Sequence, residues 1–273
     1  MTSRLSGRVA VVSPHLDDAV LSLGAAIARA TASGADVQVV TVFANDPASD
    51  DPASAWDAQC GFASAAEAAT ARRREDSIAC ERVGATPVWL PFVDADHGGA
   101  TTDEELLPAL HDALVAADAI LLPGSPLAHP DHARVTRLLL ADPPPAPRIG
   151  LYVEQPYAAW RHLGRGRRVW AAQGLTLRRS LRNTAAILLR APSGRRLQRP
   201  AVPNPIANVA GRPEWTVLGA GARRVWTKHR ALRAYRSQFA GFGRTTAATI
   251  AVYELGWGGE GVAWLEAPGP NAR

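Results

Sequence analysis

The chain has 273 residues, 47% hydrophobic and 20% charged, which fits one large domain with a sizeable core and excludes a disordered chain. Cys60 and Cys80 make neither a metal motif nor a disulfide framework. No apolar run nears the roughly 18–20 residues of a membrane span, and residues 9–12 are too short for a secretory signal, so a cytoplasmic protein with no membrane partner is expected. Residues 1–142 carry 9 Arg against 20 Asp and Glu, and residues 143–273 carry 21 Lys and Arg against 5 Glu; either the halves neutralise each other or an acidic ligand is bound, and no nucleic-acid motif organises the basic residues.

Residues 8–13 (RVAVVS) read as a short buried strand, and residues 18–32 as an Ala- and Leu-rich helix stopped by Gly34. Residues 37–43 are a second strand. Residues 44–64 are rich in Asp, Pro and Ser and read as a long loop, a kind of segment that is usually functional or mobile. A helix over residues 65–83 follows, with Gly84 beyond its end, then a strand over 86–92, a helix over 103–116 and a strand over 119–122. Residues 131–140 are a helix closed by the prolines after Asp142, and residues 148–153 a further strand. This alternation predicts an α/β fold with a mostly parallel sheet and helices on both faces. Residues 1–156 are expected to form the catalytic core. Residues 157–273 are expected to be an extension packed on it, Arg-rich over 161–182, with strands over 183–189 and 250–255 and a helix over 226–239.

Two clusters carry chemistry. Ser13-Pro14-His15-Leu16-Asp17-Asp18 follows the first strand and opens the first helix, and His129-Pro130-Asp131-His132 follows a later strand and opens another helix. Ligands of open parallel sheets bind in such strand-to-helix loops. A catalytic zinc takes three His or carboxylate ligands and keeps a position open for water. His15 and Asp18, three apart, reach one point where a loop turns into a helix, and His132 supplies a third ligand. Asp17 is then left beside the metal to take a proton from water, His129 to stabilise an oxyanion, and Asp131 to orient or charge His129. The plain alternatives are that Asp17 or Asp18 caps a helix, and that residues 129–132 are a capped helix start with surface histidines. The two clusters together hold three of the chain's seven histidines, which favours the metal site.

On these motifs the chain resembles the PIG-L/LmbE family of zinc N-deacetylases, which remove acyl groups from amino sugars and related compounds. The family's His-Pro-Asp-Asp-Glu stands here as His15-Leu16-Asp17-Asp18-Ala19, and its His-Pro-Asp-His is intact from His129 to His132. The resemblance implies a Rossmann-like sheet, His15, Asp18 and His132 as ligands of Zn2+ (or Fe2+ or another divalent ion), Asp17 as general base and His129 as oxyanion partner. Weaker echoes are Arg72-Arg73-Arg74-Glu75 with Gly84, and Lys228 through Tyr235 to Ser237-Gln238; by them Arg72 is a candidate substrate contact. The form of the first motif is similar to that of antibiotic-pathway members. The expected substrate is an amino-sugar conjugate, a natural-product intermediate among the candidates.

Other residues have weaker claims. Asp94, with Asp96 and His97, follows the third strand and can line the same crevice or form a polar turn. Glu154 ends a strand on the same side of the sheet, with no role assigned. Trp160, Trp170 and Trp257 can stack on sugars or pack in the core. Alternatives in function are an amidase acting on a thiol conjugate and a non-haem Fe(II) oxygenase, the latter usually built on a β-barrel.

Overall fold

The computed structural model describes residues 5–45, 50–94, 101–162, 215–243 and 245–265. The elements in chain order are β1 (Arg8–Ser13), α1 (Asp18–Thr31), β2 (Asp36–Thr41), α2 (Ala55–Cys60), α3 (Ala65–Val83), β3 (Thr86–Trp89), α4 (Asp103–Leu114) and β4 (Ala119–Ser125). Then come α5 (Pro130–Ala141), β5 (Arg148–Val153), α6 (Tyr157–His162), β6 (Trp215–Leu218), α7 (Gly221–Leu232), α8 (Arg236–Phe242), α9 (Thr246–Trp257) and β7 (Glu260–Trp264). The seven strands form one sheet in the order β3-β2-β1-β4-β5-β7-β6. The first five are parallel; β7 runs antiparallel to both β5 and β6.

Alternation along β1 splits the core into two layers. Val9 and Val11 point into a cluster with Leu23, Ile27, Cys80 and Leu232, from α1, α3 and α7. Ala10 and Val12 point the other way, to Leu106, Leu110, Val135 and Leu139 of α4 and α5. Helices therefore cover both faces of a mostly parallel sheet, as expected. The strand order reverses at β1: the chain runs outward through β2 and β3, then crosses by α4 to β4 on the other side. The loops after β1 and β4 leave toward opposite faces, and a crevice opens between them.

Helix α1 is buried along nearly its whole length. Its contact with α7 is close: a Cβ at Gly24 would sit 2.9 Å from Lys228 Cγ. Lys228, the chain's one lysine, is fully buried there and donates to Glu254 at 2.5 Å and to Glu260 at 2.7 Å. Glu260 also accepts from the backbone N–H groups of Ala25 and Ala26.

Three expectations are corrected. Residues 250–255 are not a strand but lie inside α9; the buried positions Thr246, Thr249, Ile250, Tyr253 and Glu254 keep helical spacing, which their polar members hide in the sequence. The helix expected over 226–239 is two helices, α7 and α8. The break lets the Tyr235 hydroxyl donate to Asp76 and Ser237 donate to Glu75, both on α3. The loop over 44–64 contains α2, opened by a capping box between Ser54 and Asp57. The expected strand over 183–189, most of the Arg-rich stretch, Trp170, Asp96 and His97 lie outside the described residues. Among the described residues no helix is long and apolar enough to cross a membrane.

Candidate metal and catalytic site

The loop after β1 is held by its own backbone. Ser13 Oγ donates to the carbonyl of His15 and accepts from the N–H of Ala19, closing the first turn of α1. The N–H of His15 donates to Asp18 Oδ2 at 2.9 Å. Asp17 stands at the N-cap position but caps nothing with its side chain. It is 4% exposed, and its Oδ2 is buried with no hydrogen-bond partner among the described residues. An unpaired buried carboxylate oxygen is costly, so its persistence asks for a function.

The loop after β4 presents His129 at the N-cap of α5, where Nδ1 accepts from the N–H of Asp131 at 3.3 Å. His132 lies one turn further in, fully buried. His15 Nδ1, Asp18 Oδ2 and His132 Nε2 converge, with separations of 3.2 Å between the two nitrogens and 3.4 and 3.1 Å from each to the carboxylate. A tetrahedral ion with bonds of about 2.0–2.1 Å spaces its ligands by about 3.3–3.4 Å, so the three atoms already stand at ligand spacing. The donor set, two imidazoles and a carboxylate, suits zinc or another borderline divalent ion. His129 also has a ring nitrogen within 4.8 Å of those of His15 and His132. Asp18 Oδ2, at 3.4 and 3.1 Å from the His15 and His132 nitrogens, is the more closely placed third donor. The residues fit a divalent metal.

The electrostatics follow from burial and crowding. Burial first, then the adjacent Asp18 carboxylate, push Asp17 well above the usual carboxylate range. Burial works the same way on Asp18, but the charges and hydrogen bonds of His132 and His15 outweigh it and hold Asp18 far below that range. Burial opposes the charge of His132, yet Asp18 and Glu154 raise it to about 9. Burial is likewise overcome at His15, by Asp131 and Asp18, which raise it. His129 goes the other way: burial and then its two histidine neighbours push it down to about 4. At neutral pH His129 is therefore uncharged. Because its Nδ1 accepts, its proton sits on Nε2, a neutral donor.

His15, Asp17, Asp18 and His129 line a pocket of about 70 Å³ with Phe43, Asn45, Trp56, Arg72, Asp94, Tyr157, Gln238 and Phe242 among its walls. A larger open groove, about 800 Å³, lies between α3 and the α7–α8 turn and shares no lining residue with it; the chemistry belongs to the small pocket. Arg72 reaches the pocket from α3, ion-paired to Asp57 of α2 at 2.6 Å, and its Nε has no hydrogen-bond partner among the described residues. Asp94 is at the rim, its N–H donating to Asn45 Oδ1 at 3.4 Å. Asp131 Oδ2 is 3.1 Å from His15 Nε2 and 3.6 Å from His129 Nδ1, so it stands closer to His15 than to the histidine it was expected to serve. Trp160 is buried behind Tyr157 and Trp257 stacks on Tyr253; among the described residues the tryptophan that lines the pocket is Trp56. Asn45, Trp56 and Phe242 carry no motif, and Gln238 only the weaker echo. The one signal for two of them was position, in the long loop after β2.

Residues 10–141 match the family model described as PIG-L: GlcNAc-PI de-N-acetylase. Among solved structures the chain is similar to the antimicrobial reagent A40926 pseudoaglycone deacetylase Dbv21, at 22% identity over 96% of this chain and 97% of that one, TM-score 0.64. It is similar to the zinc-inhibited form of teicoplanin deacetylase Orf2, at 19% identity over 97% and 100%, TM-score 0.65. It is also similar to GalB, the 4-carboxy-2-hydroxymuconate hydratase of Pseudomonas putida KT2440, at 18% identity over 98% and 99%, TM-score 0.53. At such identities the likeness is one of fold. No curated protein sequence matches significantly. The β1 and β4 loops both fall inside the matched stretch, and residues 10–141 of this chain are a PIG-L family domain.

Proposed function

We propose that the protein is a divalent-metal-dependent N-deacetylase that hydrolyses the acetamide of an N-acetyl amino-sugar conjugate. The observation that carries this reading is the juxtaposition in the β1–β4 crevice: three ligand atoms at metal spacing, and beside them a buried Asp17 oxygen with no partner. His15, Asp18 and His132 would hold the ion. Bound there, a divalent ion polarises a carbonyl and lowers the pKa of water toward neutrality. Asp17 takes the proton of the attacking water and delivers it to the departing amine. His129, neutral and with its proton on Nε2, donates to the oxygen that gains charge as the carbonyl becomes tetrahedral. Asp131 holds the ring of His15 through Nε2. Arg72 and Asp94 meet the substrate's polar groups.

The substrate class rests on the relatives and on size. The matched family is named for deacetylating GlcNAc-PI, an amino-sugar conjugate, and two neighbours are named as deacetylases of the antimicrobial A40926 pseudoaglycone and of teicoplanin. A natural-product intermediate is the candidate that follows. The pocket, about 70 Å³, has room for roughly two waters, which suits an acetyl group and not a sugar ring; the sugar then lies outside it. A thiol-conjugate amide would use the same machinery. The oxygenase alternative loses its usual scaffold, since the sheet is open and not a barrel. GalB warns that this fold also carries a hydration. The test is amine release from a panel of N-acetylated amino-sugar glycosides, thiol conjugates and unsaturated acids. Release of amine from the glycosides is expected; turnover of the acids alone would contradict the proposal.

A further inference from the structure

We infer that Glu154 is a positioning residue that sets both a metal ligand and the oxyanion loop, through the contact of its two carboxylate oxygens with His132 and Leu127. This rests on the proposed metal site. Glu154 follows β5 directly and is 1% exposed. Its N–H donates to the carbonyl of Ser125 at 2.7 Å, tying it to the end of β4. Oε1 contacts Nδ1 of His132. Oε2 accepts from the backbone N–H of Leu127. Both oxygens are thus engaged, by a ring nitrogen of His132 and a backbone N–H, so Glu154 is neither a ligand nor a base.

Each contact has a separate consequence. When Nδ1 of His132 donates to a carboxylate, the lone pair is left on Nε2, the atom that faces Asp18 and His15. The carboxylate thereby selects the tautomer, fixes the ring plane and makes the ligand more basic. Leu127 has a left-handed backbone, φ 48°, which a residue with a branched side chain rarely adopts. The bond to Oε2 holds it there, two residues before His129. A single carboxylate therefore sets the spacing between the metal ligand and the oxyanion donor.

Glu154→Gln separates this from a general packing role. An amide has one acceptor oxygen where the carboxylate has two, so one of the two donors must face an NH2 group. Zn2+ affinity, measured by competition with a chromophoric chelator, is expected to fall 10–100-fold while stoichiometry at saturation stays at about one. The visible spectrum of the Co2+-loaded protein should shift, because the His132 ring turns; lost packing alone would lower the melting temperature and leave that spectrum unchanged. If Glu154→Gln fails to fold, Glu154→Asp decides. It keeps both acceptors on a shorter arm and should weaken Zn2+ at least about tenfold. Wild-type affinity and an unshifted Co2+ spectrum in the folded variant overturn the inference alone. Failure of the wild-type protein to bind Zn2+ overturns it together with the proposed function.

Discussion

At the scale of the residue, the proposed roles of Asp17 and His129 separate metal binding from chemistry. Asp17 caps nothing and touches none of the ligand atoms by a hydrogen bond, so Asp17→Asn should leave Zn2+ stoichiometry unchanged. The neutral amide cannot take a proton, and turnover should fall on the order of 10²–10⁴. Titrating both proteins with Zn2+ and measuring kcat checks the two halves of this statement together. His129→Ala removes a neutral donor and should cost on the order of 10²–10³ in kcat, again with metal retained. An unchanged kcat there would remove His129 from the mechanism. These residues were legible in the sequence because His and Asp clustered in two strand-to-helix loops, where topology directs ligands. Of the pocket's walls, only Arg72 and Asp94 were named as candidates, and Gln238 fell in a weaker echo. Trp56, Gln238 and Phe242 are ordinary core-forming or polar residues until α2 and α8 bring them to the crevice. Asp131 shows a subtler limit: sequence places it beside His129, whereas the ring it touches at 3.1 Å is that of His15, on another loop.

At the scale of the element, the buried Lys228 cluster clamps the helix that begins with the metal loop. α7 donates the cation, α9 and β7 the carboxylates, and Glu260 reaches on to two amides of α1. Lys228→Met leaves the Glu260 carboxylate buried without its cation and should cost about 3–5 kcal/mol in chemical denaturation. A loss within experimental error would mean that α1 needs no such clamp. Glu254 gives the cluster a pH dependence. Burial, despite Lys228, raises its pKa from 4.5 to about 8. Between those values the folded protein keeps a proton that the unfolded chain has released. The contribution to stability is therefore complete below pH 4.5 and is lost as pH rises toward 8. Glu254→Gln should flatten that part of the stability–pH curve; an unaltered slope would assign the proton elsewhere. Apart from α2, the elements of the first half were readable from apolar period and caps, as in α3, which runs from Ala65 to Val83 with Gly84 beyond it. In the second half α9 was misread because its buried face carries two threonines and a glutamate, each satisfied only by a partner: the carbonyls of Phe242 and Thr245, and Lys228.

At the scale of the molecule, the reversal of strand order at β1 creates the crevice, and the later half of the chain closes it. β7 and β6 extend the sheet beyond β5, and α6 and α8 add Tyr157, Gln238 and Phe242 to the pocket. Under the proposed function that enclosure should limit the acyl group. Replacing N-acetyl by N-butanoyl or N-octanoyl on the same sugar should lower kcat/KM at least about tenfold, because a pocket of about 70 Å³ has no space for the added methylenes. Equal rates would mean that the pocket opens in solution. In the proposed binding mode the sugar and its aglycone lie outside, so a glycoside of N-acetylglucosamine should exceed the free sugar in kcat/KM; a clear preference for the free sugar would contradict the conjugate reading. The claim beneath all of these is that His15, Asp18 and His132 hold one divalent ion that amide hydrolysis requires. Its most direct test is amine release from N-acetylated amino-sugar glycosides by chelator-stripped protein as Zn2+ is added back. Release should be absent at zero metal and reach its maximum at one equivalent in the wild type, and Asp18→Ala should show none at that level. Full activity of the stripped protein, or an unchanged titration in Asp18→Ala, would contradict the account.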